Sequence, residues 1–456
     1  MSPAREIRLN AFDMACVGHI QHGMWTHPSD QSSGYTSLDR WVSLARLLER
    51  GMFDGLFLAD IIGVYDVFGG TPAAALRSAA QIPLIDPLAL VPAMAHATTH
   101  LSFGVTCNLA YEPPYLFARR MATLDHLTQG RIGWNIVTGA LDSAARAMGF
   151  AQQMAHDDRY DFAEEFMRVV YALWEGGWKD DAVVRDRAGG VYTDPAKVRA
   201  IHHAGKQFRL DAVPLWEPSP QRTPVLYQAG ASTRGRIFAA RHAECVFVYG
   251  GNLPETTRLT ADLRRRAGTR PLRIFPLASV VTGRTESEAR DRLDEYRHHA
   301  SMEGVLAHGS ASLGVDLDRF GMDEPVDASA SQAIQSNIEA LAAALGPGWT
   351  KRNFIDNAIL GGRQAPIVGS PSQVADTMQR WMAEADVDGF NLSRTVMPEC
   401  LADFIELIVP VLQDRGVYKT AYRPGTYRQK LFGAGDRLPD GHPAAAERWV
   451  DRASGQ

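Results

Sequence analysis

Short apolar runs of strand length alternate along the chain with amphipathic stretches of helical period. Each run is apolar almost throughout, which is typical of parallel strands that are covered on both faces. We predict strands over residues 14–19, 55–60, 101–108, 132–137, 225–230, 245–249, 272–281 and 389–393. Helices are predicted near residues 38–50, 87–96, 117–127, 160–174, 237–242, 374–385 and 401–412. Eight strand–helix units favour a TIM (β/α)8 barrel over an open doubly wound sheet.

The barrel accounts for only part of the chain. Such a barrel needs about 250 residues, whereas the chain has 456. We therefore predict three insertions, near residues 61–86, 176–222 and 301–366, within a single barrel domain that spans residues 1–428. Residues 429–456 are rich in proline, glycine and charge, and are predicted to form an extended C-terminal tail.

Composition and charge exclude several classes of protein. With 47 basic and 52 acidic residues the formal net charge is −5, which argues against a nucleic-acid partner. The four cysteines lie far apart with no CxxC pair, so we expect a reducing compartment and no disulfide scaffold or zinc ribbon. No apolar stretch reaches the ~18 residues of a membrane helix, and no signal-peptide pattern opens the chain. We expect a cytoplasmic protein with no membrane partner.

Polar side chains end several predicted strands, at the rim where a barrel carries its chemistry. His19, Asp60, Thr106, Asn108 and Thr138 stand at or next to the ends of the first four strands. Because the carboxyl ends of barrel strands share one rim, these side chains are predicted to face a common site.

Two helix starts offer groups that suit an anion. Ser232 follows the fifth strand and opens a helix whose free N–H groups suit a phosphate, although serine is equally common as a plain N-cap. His156 and Tyr160 are four residues apart and can face one ligand, while the acidic residues between them can cap their helix. The chain has no Walker motif, no G-x-G-x-x-G after a strand and no zincin spacing. Neither a nicotinamide Rossmann site nor a metal site is predicted.

Distinctive stretches follow one another along most of the chain. They are Asn-Ala-Phe at 10–12, Gly-His at 18–19, Trp-Thr-His-Pro at 25–28, Gly-Arg-Ile-Gly-Trp-Asn-Ile-Val-Thr at 130–138, Tyr-Ala-Leu-Trp-Glu at 171–175, Gly-Lys-Gln-Phe-Arg at 205–209 and Pro-Val-Leu-Tyr-Gln-Ala-Gly at 224–230. In these stretches the chain resembles the nitrilotriacetate and dibenzothiophene-sulfone monooxygenases, a branch of the bacterial luciferase-like superfamily. The resemblance extends over residues 10–428.

The resemblance implies a function as well as a fold. Members of this family are two-component monooxygenases: reduced FMN (FMNH2) comes from a separate NAD(P)H:flavin reductase. A flavin (hydro)peroxide formed with O2 then oxidises a small organic substrate. A homodimer or homotetramer is also implied.

The resemblance also implies which residues bind FMN. Ser232 and Tyr160 would hold the phosphate, and Asp60 and Thr106 would lie nearer the isoalloxazine and ribityl parts. The family often has Thr-Ser after the fourth strand, where this chain has Thr138-Gly139, so one hydroxyl contact is absent. Carried over by position, the FMN ligands are Asp60, Thr106, Thr138, His156, Tyr160 and Ser232.

Two histidines are the candidate catalytic residues. We hypothesise that His19 and His308 flank the substrate side of the flavin, where one of them acts as acid or base, since histidine titrates near neutrality. The alternative for His19 is a buried histidine bonded to a neighbouring loop. Tyr65 and Gln81, in the first insertion, are predicted pocket walls or hydrogen-bond donors.

Other functions remain open at this level. A deazaflavin-dependent oxidoreductase shares the barrel and the phosphate site but transfers hydride, and a non-catalytic flavin-binding protein would keep the same ligands. The substrate is not predicted. An arginine in the pocket would indicate a carboxylated substrate, and Arg77 and Arg394 are the candidates.

Overall fold

Parallel strands close into a barrel in the computed structural model, which describes residues 5–230, 232–249, 252–327, 341, 345–346, 348–360 and 365–450. The barrel strands are β1 (Arg8–Met14), β2 (Gly55–Ala59), β3 (Ser102–Asn108), β4 (Ile132–Val137), β5 (Val225–Gln228), β6 (Cys245–Val248), β7 (Arg273–Thr282) and β8 (Gly389–Ser393). Each strand pairs in parallel with the next one along the chain, and β8 pairs with β1. The predicted TIM barrel is confirmed.

The position of the first strand was predicted wrongly. The strand over residues 14–19 does not form, because β1 ends at Met14 and the following residues make only isolated bridges. The polar residues of β1 hid it, since Asn10 and Asp13 are buried on opposite faces of the strand. Asn10 donates from Nδ2 to Asn391 Oδ1 at 2.9 Å, and Asp13 pairs with Arg394 at 3.0 Å. Buried polar pairs thus interrupt the apolar pattern that marks most of the other strands.

Helices surround the barrel. They are α1 (Leu38–Arg50), α2 (Ala73–Ser78), α3 (Val91–His96), α4 (Pro114–Leu127), α5 (Asp142–Ala147), α6 (His156–Tyr171), α7 (Thr233–His242), α8 (Leu253–Ala267), α9 (Glu286–His299), α10 (Met302–Leu313), α11 (Lys351–Ala358), α12 (Pro371–Glu384), α13 (Glu399–Asp403), α14 (Val409–Asp414) and α15 (Tyr427–Phe432). Helices α8 and α9 lie where the apolar pattern assigns no element. In α9 only Ala289 and Tyr296 are buried. Because most of its other residues are charged, the sequence of α9 shows no helical repeat of apolar positions. None of the described helices combines the length and apolar composition needed to cross a membrane.

Segments between the barrel elements add local structure. Residues 176–222 carry two antiparallel hairpins, formed by Val183–Asp186 with Val191–Thr193 and by Ile201–Ala204 with Arg209–Ala212. Residues 61–86 carry α2, and residues 301–366 carry α10 and α11. Beyond α15 the chain packs back on the barrel, where Leu438 and Ala444 are buried. The division into one domain and a C-terminal tail stays a prediction.

Aromatic side chains fill the inside of the barrel and set the depth of the space above them. Phe12 and Phe247 have ring centroids 5.0 Å apart, and Phe57 lies 5.5 Å from Phe12. Tyr227 belongs to the same cluster, and its ring centroid lies 5.3 Å from that of Phe57. The interior is therefore packed rather than hollow, and the strand ends above this floor are left to line a cavity.

Candidate functional site

A cavity of about 320 Å³ opens above the aromatic floor, at the C-terminal ends of the strands. This volume falls within the roughly 300–1,000 Å³ of small-molecule sites. All the predicted site residues line this one cavity. They are His19, Asp60, Tyr65, Gln81, Thr106, Thr138, His156, Tyr160, Ser232 and His308.

Strand ends and helix starts position these side chains. Thr106 lies on β3, Asp60 follows β2 directly and Thr138 follows β4 directly. His156 is the first residue of α6, whereas His19 lies on the loop after β1 rather than at a strand end. Parallel strands around one barrel bring their carboxyl ends to one rim, so residues distant in sequence share the cavity.

One end of the cavity is built from the starts of α6 and α7. Ser232 is the N-cap of α7, where its Oγ accepts from Gly235 N at 3.0 Å. Tyr160 is 6% exposed and hydrogen-bonds to the Ser232 side chain. Burial raises the pKa of Tyr160, so its hydroxyl stays neutral. Ser232 thus acts as a helix cap, and its role as a phosphate ligand stays a prediction.

Arg159 completes this end, and sequence reasoning missed it. The side chain is buried, donates from Nη1 to the Gly139 carbonyl, and leaves Nε without a partner. No carboxylate in the described part of the chain lies within ion-pair distance of this guanidinium. A buried cation without a counter-ion is costly, so a bound anion would stabilise it. In the sequence, only its position next to the predicted ligand Tyr160 indicated that Arg159 could belong to the site.

The middle of the cavity carries amide, hydroxyl and carboxyl groups. Asn135 donates from Nδ2 to Thr106 Oγ1 at 2.9 Å, while its Oδ1 is buried without a donor. Burial, together with the nearby Asp86 carboxylate, raises the pKa of Asp60 to about 7. Asn135 was not among the predicted ligands, since it lies inside β4, although the quoted motif contains it.

The raised pKa of Asp60 predicts how stability depends on pH. The unfolded chain releases this proton near pH 4, whereas the folded chain holds it until about pH 7. The free energy of unfolding should therefore fall between these two pH values and stay level above them. Urea unfolding at several pH values should show this fall in the wild type and a smaller one in Asp60→Asn. Asp158→Asn, at an exposed site of α6, is the control; equal slopes in all three proteins would contradict the prediction.

The other end of the cavity holds a network of predicted residues. Tyr65 donates from its hydroxyl to Gln81 Oε1, and Gln81 donates from Nε2 to the His19 carbonyl at 3.1 Å. The Tyr65 ring stacks on His308 with centroids 5.1 Å apart. Burial, together with Arg394, His308 and His22, holds the pKa of His19 well below its usual value. His19 is therefore neutral at pH 7.

His22 extends this network and was also missed from the sequence. Its Nε2 lies 2.9 Å from His308 Nδ1, and the residue is fully buried. Burial, with His308 and Arg394 nearby, lowers the pKa of His22 well below its usual value. Its position three residues after His19 was the only hint, because a histidine on an irregular loop carries no periodic signal.

The backbone conformation at position 139 requires a glycine. Gly139 has φ of +75°, a region that side chains other than glycine rarely adopt. A Cβ there would also lie 2.7 Å from Asn108 Nδ2. The Thr138-Gly139 sequence therefore fits this loop, where the side-chain amides of Asn108 and Gln153 occupy the space that a Cβ would need.

The two arginines suggested for a carboxylated substrate lie elsewhere, so that suggestion was wrong. Arg77 is exposed and pairs with Glu303. Arg394 is buried, pairs with Asp13 and donates to the carbonyls of Cys16 and Val17. Both guanidiniums are thus engaged in holding the fold.

The chemistry of the donor set fits FMN. Arg159 Nε and Asn135 Oδ1 are buried atoms without partners, and they suit a phosphate oxygen and an O–H or N–H donor respectively. The start of α7 adds backbone N–H groups at the anion end. The aromatic floor offers a surface for a flat ring.

Comparison with known proteins agrees with the geometry. The luciferase-like monooxygenase family matches residues 19–389. The long-chain alkane monooxygenase of Geobacillus thermodenitrificans (strain NG80-2) is 47% identical over 450 residues, covering 97% of this chain and 98% of that protein. The dimethyl-sulfide monooxygenase of Hyphomicrobium sulfonivorans is 45% identical over 451 residues, covering 97% and 94% respectively.

Solved structures give the same result. A long-chain alkane monooxygenase superposes with a TM-score of 0.89 at 47% identity, covering 97% of this chain and 100% of that chain. A riboflavin lyase with modified FMN and riboflavin gives 0.92 at 36% identity, covering 98% and 100%. A coenzyme F420-dependent reductase from Methanopyrus kandleri is 15% identical with a TM-score of 0.54, a likeness of fold alone. The predicted family and enzyme class are confirmed: this chain is an enzyme of the luciferase-like monooxygenase family.

Proposed function

We propose that this protein is an FMNH2-dependent monooxygenase of a two-component system. It would take reduced FMN from a separate NAD(P)H:flavin reductase and use O2 to oxidise a small organic substrate. The observation that carries the proposal is Arg159, a buried cation without a carboxylate partner in the described part of the chain, next to Tyr160 and Ser232 at one end of the cavity. The predicted catalytic histidines line the same cavity.

In this proposal, different residues bind the phosphate and face the reacting centre. Arg159, Tyr160 and Ser232 bind the phosphate, and His308 and the neutral His19 face the reacting centre. Bound FMNH2 would activate O2, so that one oxygen atom enters the substrate and the other leaves as water while FMN is released oxidised. The protein orients the reactants and excludes water.

The first insertion, residues 61–86, covers the cavity and excludes water from it. Ser143 Oγ donates to the Val64 carbonyl at 2.7 Å, and Arg146 pairs with Asp66. These contacts fasten the loop that carries Tyr65 onto α5. Since reduced flavin reacts wastefully with O2 when water and protons reach it, this covered wall supports the proposal.

An oxygen-labelling experiment tests the function. FMNH2 prepared without air is titrated into the protein, and 18O2 is then admitted with a dialkyl thioether as the probe. We expect binding of FMNH2 and one 18O atom per product molecule. NADH with oxidised FMN should support turnover only after a flavin reductase is added. Affinity for a reduced deazaflavin but not for FMNH2 would favour the hydride-transfer alternative, and binding of FMNH2 without 18O in the product would favour a non-catalytic protein.

We further propose that the substrate is neutral and apolar. Ile61, Ile62, Leu141, Ala144 and Ala311 line the cavity, whereas Arg77 and Arg394 pair elsewhere. Two relatives above 40% identity are named for long-chain alkanes and dimethyl sulfide, which are neutral molecules.

A matched pair of probes tests the substrate class. A dialkyl thioether and the same molecule with a terminal carboxylate differ mainly in charge. Burying an unpaired carboxylate costs several kcal/mol, so kcat/KM should be at least about a hundredfold higher for the neutral probe. Equal values for the two probes, or a preference for the acid, would contradict a neutral substrate.

A further inference from the structure

His22 lies outside the cavity lining yet contacts a histidine that lines it. It is fully buried, and its Nε2 is 2.9 Å from Nδ1 of His308. The other nitrogen of His22, Nδ1, is buried with no hydrogen-bond partner among the residues that the structure describes. One hydrogen bond joins the two histidines, and its direction decides which nitrogen of each ring carries the proton.

Two glycines make room for His22 and fix its distance from His308. A Cβ on Gly304 would lie 2.6 Å from the Cβ of His22, and one on Gly18 would lie 3.3 Å from His22 Nδ1. Ser301 donates from its backbone N–H to the His22 carbonyl at 2.8 Å. His308 follows Gly304 by four residues, one turn along the same face of α10. The start of α10 is thus hydrogen-bonded to, and closely packed against, the loop that carries His22.

The direction of the hydrogen bond follows from the unpartnered nitrogen. A neutral imidazole carries one N–H. If His308 donated, His22 would carry its proton on Nδ1, and a buried N–H would have no acceptor, which is rare and costly. If His22 donates from Nε2, every N–H of His22 has an acceptor. The second arrangement is favoured.

We propose that His22 is a positioning residue that donates from Nε2–H to Nδ1 of His308 and so holds His308 as the neutral Nε2–H tautomer. His308 then acts in the cavity as a hydrogen-bond donor through Nε2–H, not as a base. A cationic His308 is disfavoured, because its Nδ1–H would force the proton of His22 onto Nδ1. The catalytic consequence rests on the proposed function, whereas the tautomer does not.

Nitrogen-15 NMR of histidine-labelled protein reads the tautomer without any flavin. The His308 signals are assigned from their loss in His308→Gln. His22→Leu removes the donor, and His22→Gln keeps an amide N–H that can reach Nδ1. His27→Leu is the control, since His27 is a buried histidine of the same segment that bonds Glu295 instead. Thermal melting checks that each variant is folded.

We expect the proton of His308 on Nε2 in the wild type, in His22→Gln and in His27→Leu, and a mixture of tautomers in His22→Leu. Product formed per FMNH2 oxidised should fall about tenfold in His22→Leu and recover largely in His22→Gln. A wild-type His308 with its proton on Nδ1, or a folded His22→Leu with unchanged tautomer, would overturn the proposal. Failure of the wild type to bind FMNH2 would instead count against the proposed function and leave the NMR result to decide the role of His22.

Discussion

Replacing Arg159 with leucine is expected to weaken FMN binding about 30- to 150-fold. The side chain is buried beside the cavity with a free Nε and no carboxylate partner, so it is poised to meet a phosphate. Hydrogen bonds to charged groups contribute about 1.5–3 kcal/mol each. Removing the guanidinium should therefore cost about 2–3 kcal/mol of the binding free energy of FMN. Affinity for FMNH2 can be measured by titration without air.

Riboflavin provides a matched probe for the same substitution, because it lacks the phosphate. Arg159→Leu should leave riboflavin affinity almost unchanged and so abolish the preference for FMN. The variant should also be no less stable than the wild type, since an unpaired buried charge is removed. Arg168→Leu, at an exposed position of α6, is the control. Parallel losses for FMN and riboflavin would show that Arg159 does not bind the phosphate.

Replacing Arg428 with methionine is expected to lower the free energy of unfolding by about 3–5 kcal/mol. Arg428 lies on α15 and is buried, with Nε 2.6 Å from Glu244 Oε1 and Nη2 2.9 Å from Oε2. It also donates to the carbonyls of Thr223 and Asp436 at 2.9 and 2.7 Å. The substitution would leave Glu244 buried without its counter-ion. Urea unfolding monitored by tryptophan fluorescence measures the loss.

A double substitution separates the ion pair from its surroundings. Arg428→Met with Glu244→Met should recover part of the loss, because no charge is then left buried and unpaired. The exposed pair of Arg290 and Glu286 is the control, and Arg290→Met should leave the free energy of unfolding almost unchanged. A loss below about 1 kcal/mol in Arg428→Met would contradict this role for the buried pair.

The barrel was predictable because most of its strands are buried on both faces. β4 and β8 were placed to the residue, since their apolar runs are bounded by turn residues. β1 was missed because Asn10 and Asp13 are polar, are buried and find partners on and after β8. Such pairs depend on neighbours nearly 400 residues away, which a local pattern does not contain.

The composition of the site was predictable only in part, and for a similar reason. Strand ends and the family resemblance identified Asp60, Thr106 and Ser232 before the fold was known. Arg159 and His22 were missed, because their importance comes from burial without a partner and from a contact across 286 residues. Neither property leaves a mark on the local sequence. The roles of all these residues towards FMN remain predictions.

A crystal structure of the protein soaked with FMN tests the central claim most directly. We expect a phosphate between the starts of α6 and α7, within hydrogen-bond distance of Ser232, Tyr160 and Arg159, and a ring system extending towards His19 and His308. A phosphate bound outside this cavity, or a ring system whose open face points away from both histidines, would contradict it.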